Sequence, residues 1–233
     1  IPGLIDSHVH LYHATGLKRK YAADFEGLRR DFMEQQPRSF LFHGFTTVVE
    51  LNADADTNRR FESAPLHPRL VHCGQGVILS DGFMALDVPE SDLEQAYPGY
   101  LVDHYAQGIA ADEIDPAHTP AAAVDFVAKS GGRCIKIYYE EALWWPGERP
   151  DFSLPSPEII RELVNEAHAK GLPVILHATT PRGHRFGVDV GVDILGHGMW
   201  EWPGQPFDAP VLRADYREIA NAVSSNAVWL QPT

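Results

Sequence analysis

Leu4-Ile5-Asp6-Ser7-His8-Val9-His10 is the stretch on which the fold turns. It reads as the first strand of a buried sheet, and alternate side chains of a strand share one face. His8 and His10 therefore project into one small volume, as two ligands of a single metal ion must. Taken alone, a His-x-His pair is equally what two polar residues at a strand end look like. Its weight comes from the later strands, which end in further candidate ligands.

Strands and helices alternate along the rest of the chain. A helical stretch from Phe25 to His43 precedes a β-branched second strand, Thr46 to Leu51, and a third strand spans Leu70 to Leu79. Ala85 to His118, interrupted by Pro89, Pro98 and Pro116, reads as a long loop with short helices. Thr119-Pro120 opens a helix that ends near Gly131-Gly132, and Arg133 to Tyr139 is the fourth strand. Trp144 to Leu154 is a second proline-rich insertion. Ser156-Pro157 caps a helix whose Ile159, Ile160, Leu163, Val164 and Ala167 form one apolar stripe, with Gly171 beyond its end. Pro173 to His177, Val192 to Leu195 and Ala227 to Leu230 complete the strands, and Asp215 to Ser225 is a helix before the last of them.

Short, nearly all-apolar strands separated by amphipathic helices imply a parallel sheet covered on both faces. Seven such steps point to an α/β fold of the (β/α)8 barrel type, one unit short of closure, in a single domain over residues 1–233. No Gly-x-Gly-x-x-Gly follows any strand, which removes the main argument for a dinucleotide-binding sheet.

Barrel enzymes carry their functional side chains at the C-terminal ends of strands. His8 and His10, Lys136, His177 and His197 all fall there. Parity places Cys134, Lys136 and Tyr138 on one face of the fourth strand and Ile135 and Ile137 on the other. The apolar pair suits the helix-covered side, so Lys136 points inward. There it either pairs with a buried carboxylate such as Asp6, snorkels outward, or is carboxylated by CO2 to an anionic metal ligand. Tyr138, on the same face, could hydrogen-bond a substrate or simply pack.

Composition narrows the partners. A formal net charge of −13 over 233 residues argues against nucleic acid, and no apolar run is long enough for a membrane span. Two cysteines, Cys73 and Cys134, make no disulfide framework, and both read as small buried hydrophobes in a reducing, cytoplasmic setting. A small-molecule substrate remains, and a homo-oligomer is left open.

Pro2-Gly3-Leu4-Ile5-Asp6-Ser7-His8-Val9-His10-Leu11 resembles the opening barrel strand of the amidohydrolase superfamily. Gly44-Phe45-Thr46-Thr47-Val48-Val49 resembles its second strand. Val174-Ile175-Leu176-His177-Ala178 and Ile194-Leu195-Gly196-His197-Gly198 resemble its fifth and sixth. The resemblance implies that His8 and His10 bind one divalent ion and His177 and His197 a second, with Lys136 as a bridging carbamate derived from CO2. A metal-bridging hydroxide would then attack an amide or other C–N bond of a small, dipeptide-like or cyclic amide substrate. Zinc suits the imidazole-rich set, and Mn, Fe, Co or Ni would be accommodated.

Within that resemblance, Thr180 stands where deaminases carry a glutamate, and Val71 to Leu79 lacks the deacetylase glutamate. The binuclear, strand-four lysine type remains, nearest the dipeptidase and imidazolonepropionase-related group. Two features of the family have no counterpart: the strand-eight aspartate that moves the proton, and the flanking β-sandwich. From the chain as it stands, no turnover is expected. Hydrolysis of a lactone, ester or phosphoester by the same centre stays open, as does a non-catalytic metal- or ligand-binding barrel.

Other residues carry less. Trp144, Trp145, Trp200, Glu201 and Trp202 could wall a pocket or form a lid. Arg182 and Arg185 could meet a substrate carboxylate, and Asp6 could orient a histidine or bond backbone. His184 is grouped with the solvated or structural histidines.

Overall fold

The computed structural model describes residues 2–12, 25–86, 88–141, 143, 150–200 and 213–232. The chain divides into two compact units, Ile1–Gly76 with Ser130–Arg133, and Val77–Lys129 with Cys134–Thr233.

The first unit is a parallel sheet of order β1-β2-β3, built from β1 (Leu4–Val9), β2 (Phe45–Glu50) and β3 (Arg69–His72). Helix α1 (Glu26–Phe42) joins the first two strands and α2 (Ala55–Glu62) the next two. Gly44 makes the turn into β2 with φ of +87°, a conformation open to a residue without Cβ. Asp54 caps α2, its carboxylate accepting the Thr57 N–H at 2.7 Å. Val9, Leu11, Val48 and Phe61 form the core of this unit. The first strand differs from expectation. Leu4 and Ile5 are 55% and 65% exposed, because β1 is an edge strand whose only strand partner among the described residues is β2.

The third strand is also shorter than predicted, ending at His72 rather than Leu79. Gly74, at φ of +68°, turns the chain there. Residues beyond Val77 belong to the second unit, where the Val77 N–H donates to the Lys136 carbonyl at 2.8 Å.

The second unit carries a parallel sheet of order β4-β5-β6-β7, from β4 (Ile135–Tyr139), β5 (Val174–Ala178), β6 (Ile194–Leu195) and β7 (Trp229–Leu230). The described residues between 83 and 118 include several single turns, α3 (Leu93–Ala96) and α4 (His104–Gln107) among them, as the prolines suggest. Helices α5 (Pro120–Lys129), α6 (Pro157–Ala169), α7 (Pro181–Val190) and α8 (Ala214–Ser225) follow. The predicted apolar stripe of α6 is wholly buried. It packs with Val124 and Val127 of α5 and with Ile135, Ile137, Val174 and Leu176 of the sheet in one apolar cluster.

Helix α7 was not anticipated from the sequence, although Thr180-Pro181 and Gly191 bracket it with a start and a stop. Gly183 and Gly187 break its apolar stripe, and here they bring it close to the sheet. A Cβ on Gly187 would stand 2.8 and 2.9 Å from methyls of Leu195 and Leu176.

Cys73 and Cys134 are buried as expected, but neither is a free thiol: both are disulfide-bonded. The reading as reduced, merely packed cysteines is corrected accordingly. Burial does not separate a thiol from a half-cystine, and sequence spacing is no measure of sulfur-to-sulfur distance. Among the described residues, no helix is long and apolar enough to cross a membrane.

Candidate metal centre

In the first unit, strand parity brings His8 and His10 together, with ring centroids 5.3 Å apart and planes nearly perpendicular. Asp6 accepts the His8 N–H at 3.2 Å, so it bonds backbone beside a candidate ligand. The His10 ring nitrogen Nδ1 is buried and makes no hydrogen bond among the described residues. It lies 3.8 Å from Oε1 of Glu50. Glu50, at the end of β2, is fully enclosed and receives backbone N–H groups from Leu11 and, at 2.6 Å, Asn52. It therefore fixes the chain immediately after His10. Sequence reasoning passed over it, although Val48 and Glu50 share the buried face of β2.

In the second unit the parallel register sets Tyr138 of β4 opposite His177 of β5, with their rings 5.7 Å apart. His197 follows the short β6 and meets His177 edge to face at 4.6 Å. Both histidines are buried. The Gly196 N–H donates to the Leu176 carbonyl at 2.7 Å and the Trp200 N–H to the Thr179 carbonyl at 2.8 Å, tying the segment after β6 to the end of β5.

Lys136 is 1% exposed, while Ile135, Ile137 and Tyr139 on the opposite face of β4 enter the apolar core. Its Nζ lies 5.7 Å from the centre of the Tyr138 ring. A Cβ at residue 196 would stand 2.9 Å from that Nζ, so Gly196 leaves the room the lysine head occupies.

Glu140, a second residue passed over in the sequence, extends the inward face of β4 by one step beyond Lys136 and Tyr138. Its Oε2 lies 2.6 Å from Nε2 of His177, and the Thr179 hydroxyl is 3.0 Å from both oxygens. The same parity that singled out Lys136 would have found it. It lies one residue beyond Tyr139, where the predicted fourth strand ends.

His184, on α7, is structural in a definite way. Its Nε2 lies 3.2 Å from the Ala178 carbonyl. Burial holds its imidazole below the ordinary value, against the raising effect of backbone hydrogen bonds to Ala178 and His197. It thus spans the strand ends that carry His177 and His197.

The two arginines proposed for a substrate carboxylate are engaged elsewhere. Arg182 lies 3.4 Å from Glu141, and Arg185 lies 3.3 and 3.6 Å from Asp189 and Glu218. Trp200 packs on His197 at 4.7 Å. Trp144, Trp145, Glu201 and Trp202 lie outside the described residues.

What the geometry holds is two pairs of imidazoles, each within one unit. Among the described residues, no three His, Cys, Asp or Glu side chains converge closely enough to enclose a metal ion. The donor chemistry nevertheless fits a divalent ion. Imidazoles are paired at strand ends, a buried His10 nitrogen lacks a hydrogen bond, and a glycine keeps space at the lysine head.

Known proteins place this arrangement. No relative among curated proteins matches the chain. A solved Xaa-Pro dipeptidase with bound methionine superposes with a TM-score of 0.61 at 20% identity, covering 99% of this chain and 53% of that one. Ochratoxinase from A. niger gives 0.66 at 18% identity, covering 98% and 51%. Molinate hydrolase gives 0.63 at 19%, covering 100% and 51%. Likeness at these identities speaks to fold alone, an α/β fold with parallel sheets. The chain spans about half the length of these structures. A family model described as the amidohydrolase family matches residues 1–188. With most of its length matched, its parallel strands and its strand-end histidines, the chain belongs to the amidohydrolase family of hydrolases.

Proposed function

We propose that the protein carrying this chain is a metal-dependent hydrolase that cleaves an amide or other C–N bond in a small substrate. The observation that carries this reading is the edge-to-face pair of His177 and His197 at neighbouring strand ends, in a chain whose family is one of hydrolases. In this reading His8 and His10 hold one divalent ion and His177 and His197 another, with Lys136 carboxylated as the anionic ligand. Zinc is the first choice for an imidazole-rich set. When bound, a divalent ion supplies Lewis acidity toward a substrate carbonyl and toward water.

The protein's own groups position the substrate. Tyr138, beside His177, offers a hydroxyl to a substrate carbonyl or carboxylate. Phe83 stacks on the His177 ring at 5.9 Å and closes one of its faces. Phe83, Met84, Ile137, Tyr138 and Phe152 line an apolar cavity that includes Glu140 in its wall. Such a lining excludes water and suits an apolar substituent next to the scissile bond. The names of the solved relatives, a dipeptidase, an ochratoxinase and a molinate hydrolase, support a small substrate.

The test is elemental analysis and native mass spectrometry of the full-length protein that carries this chain, followed by a substrate panel. Two metals per chain, a CO2 adduct on Lys136 and turnover of dipeptides or N-acyl amides are expected. A bare lysine with one metal or none would reduce the centre to a mononuclear or vacant pocket. Cleavage of lactones or phosphoesters but no amides would overturn the reaction class.

A further inference from the structure

Glu140 is a buried carboxylate that the reading above leaves without a task. It has no exposed side-chain surface, and partners among the described residues of the second unit converge on it. His177 Nε2 stands 2.6 Å from Oε2, the Thr179 hydroxyl lies 3.0 Å from each oxygen, and the Leu143 N–H donates to Oε1 at 3.2 Å. The hydroxyl and the amide fix the carboxylate, and the carboxylate fixes the imidazole. Phe83, nearly parallel to that imidazole at 21°, restrains it from one side.

An imidazole that gives its Nε2 proton to a fixed carboxylate is held in one tautomer and one ring orientation. Its other nitrogen becomes a better-aimed and more basic donor, the device by which outer carboxylates raise metal affinity. We infer that Glu140 is the positioning residue of His177, accepting its Nε2–H so that Nδ1 faces the divalent ion. This rests on the reading of His177 as a metal ligand. In this assignment Glu140 acts through the imidazole and is not itself a ligand of the ion. A carboxylate that merely completed the packing would affect unfolding and leave metal affinity alone.

The test is titration of the full chain, stripped of metal, with Co2+ followed by its visible absorption. Wild type, E140Q and H177A are compared, with circular dichroism of each metal-free protein as the check on folding. Gln keeps the shape and a carbonyl acceptor for the Nε2–H but removes the anionic partner. E140Q is expected to fold and to weaken Co2+ binding at one site by roughly 10–100-fold, and H177A to abolish that site. A smaller loss in a folded E140Q overturns the role of Glu140 and leaves the metal reading standing. Absence of Co2+ binding by wild type, or H177A binding as wild type does, overturns the metal reading and this inference with it. Should E140Q fail to fold, 15N-histidine NMR of the zinc-loaded wild type decides. A slowly exchanging Nε2–H on His177 supports the assignment, and an Nε2 without a proton overturns it.

Discussion

Glu50 has no exposed surface, and the N–H groups of Leu11 and Asn52 are committed to its carboxylate. Asn52 in turn accepts the Gly76 N–H at 2.8 Å, so the carboxylate anchors the turns after β1 and β2 together. Truncation would strand buried donors, and the desolvation cost of each is about 1–3 kcal/mol. E50A is expected to lower unfolding free energy by about 2–4 kcal/mol, and E50Q by less, in urea titrations. An E50A protein as stable as wild type would show that water satisfies those N–H groups. His72 makes a different prediction. Burial pulls its imidazole below the ordinary value, against the raising pull of Glu62 and Glu50. Its Nδ1 accepts the Gly74 N–H at 3.1 Å, which only an unprotonated nitrogen can do. Between the lowered value and the ordinary 6.5, the unfolded chain binds more protons than the folded one. Stability therefore rises with pH through that window and is lost as pH falls through it. H72N, which keeps an acceptor but does not titrate, should flatten the pH dependence of the melting temperature below about pH 6.5. A slope unchanged from wild type would assign that dependence to other groups.

Among the elements, α7 shows where sequence reading stops. Periodicity recovers α6, whose five apolar residues are all buried, and it recovers the strand order because near-continuous apolar runs are what a doubly covered sheet needs. Helix α7 buries Gly183, His184, Gly187 and Val190 instead. A hydrophobicity pattern cannot see this, since the contact is made by backbone approaching the sheet rather than by large side chains. G187A adds a methyl between Leu176 and Leu195 in a packed core, while its gain in helix propensity is about 1 kcal/mol. Overpacking costs typically ~1–3 kcal/mol, so the net effect is expected to be destabilising, read from chemical denaturation. A G187A protein more stable than wild type would mean that the leucines yield freely. The same contrast divides the candidate site. His8, His10, Lys136, His177 and His197 are legible because parity and chain position act on residue types with few other uses at strand ends. Glu50 and Glu140 were missed because glutamate at a strand end is ordinarily solvated. Only cross-strand register, which a single sequence does not display, shows the partners waiting for them.

At the scale of the molecule, the two units are unequally provided with core. Among the described residues the apolar cluster of the second unit contains twenty buried residues and that of the first contains four. Local stability follows buried apolar packing. Amide hydrogen exchange is therefore expected to be slowest in β4, β5 and α6, and to be faster in β1 and along α1. Equal protection in β1 and β5 would contradict this ranking. The number and direction of strands were readable because each is written in its own short segment. The division into units was not, since it depends on which distant segments pack together.

The first strand has a practical consequence as well. With Leu4 and Ile5 in solvent and β2 its only strand partner among the described residues, β1 offers a row of peptide groups flanked by aliphatic side chains. Natural sheets protect such borders with lysine, proline or a covering segment. This stretch has none of these in place of Leu4 or Ile5, and its one acidic residue, Asp6, bonds the backbone of His8. Concentrated solutions of this chain by itself should therefore grow intermolecular ladders, seen as rising light scattering and thioflavin fluorescence. I5K should suppress both by charging the border strand. The strand that carries His8, the first of the candidate ligands, would then also be the seed from which the isolated chain aggregates.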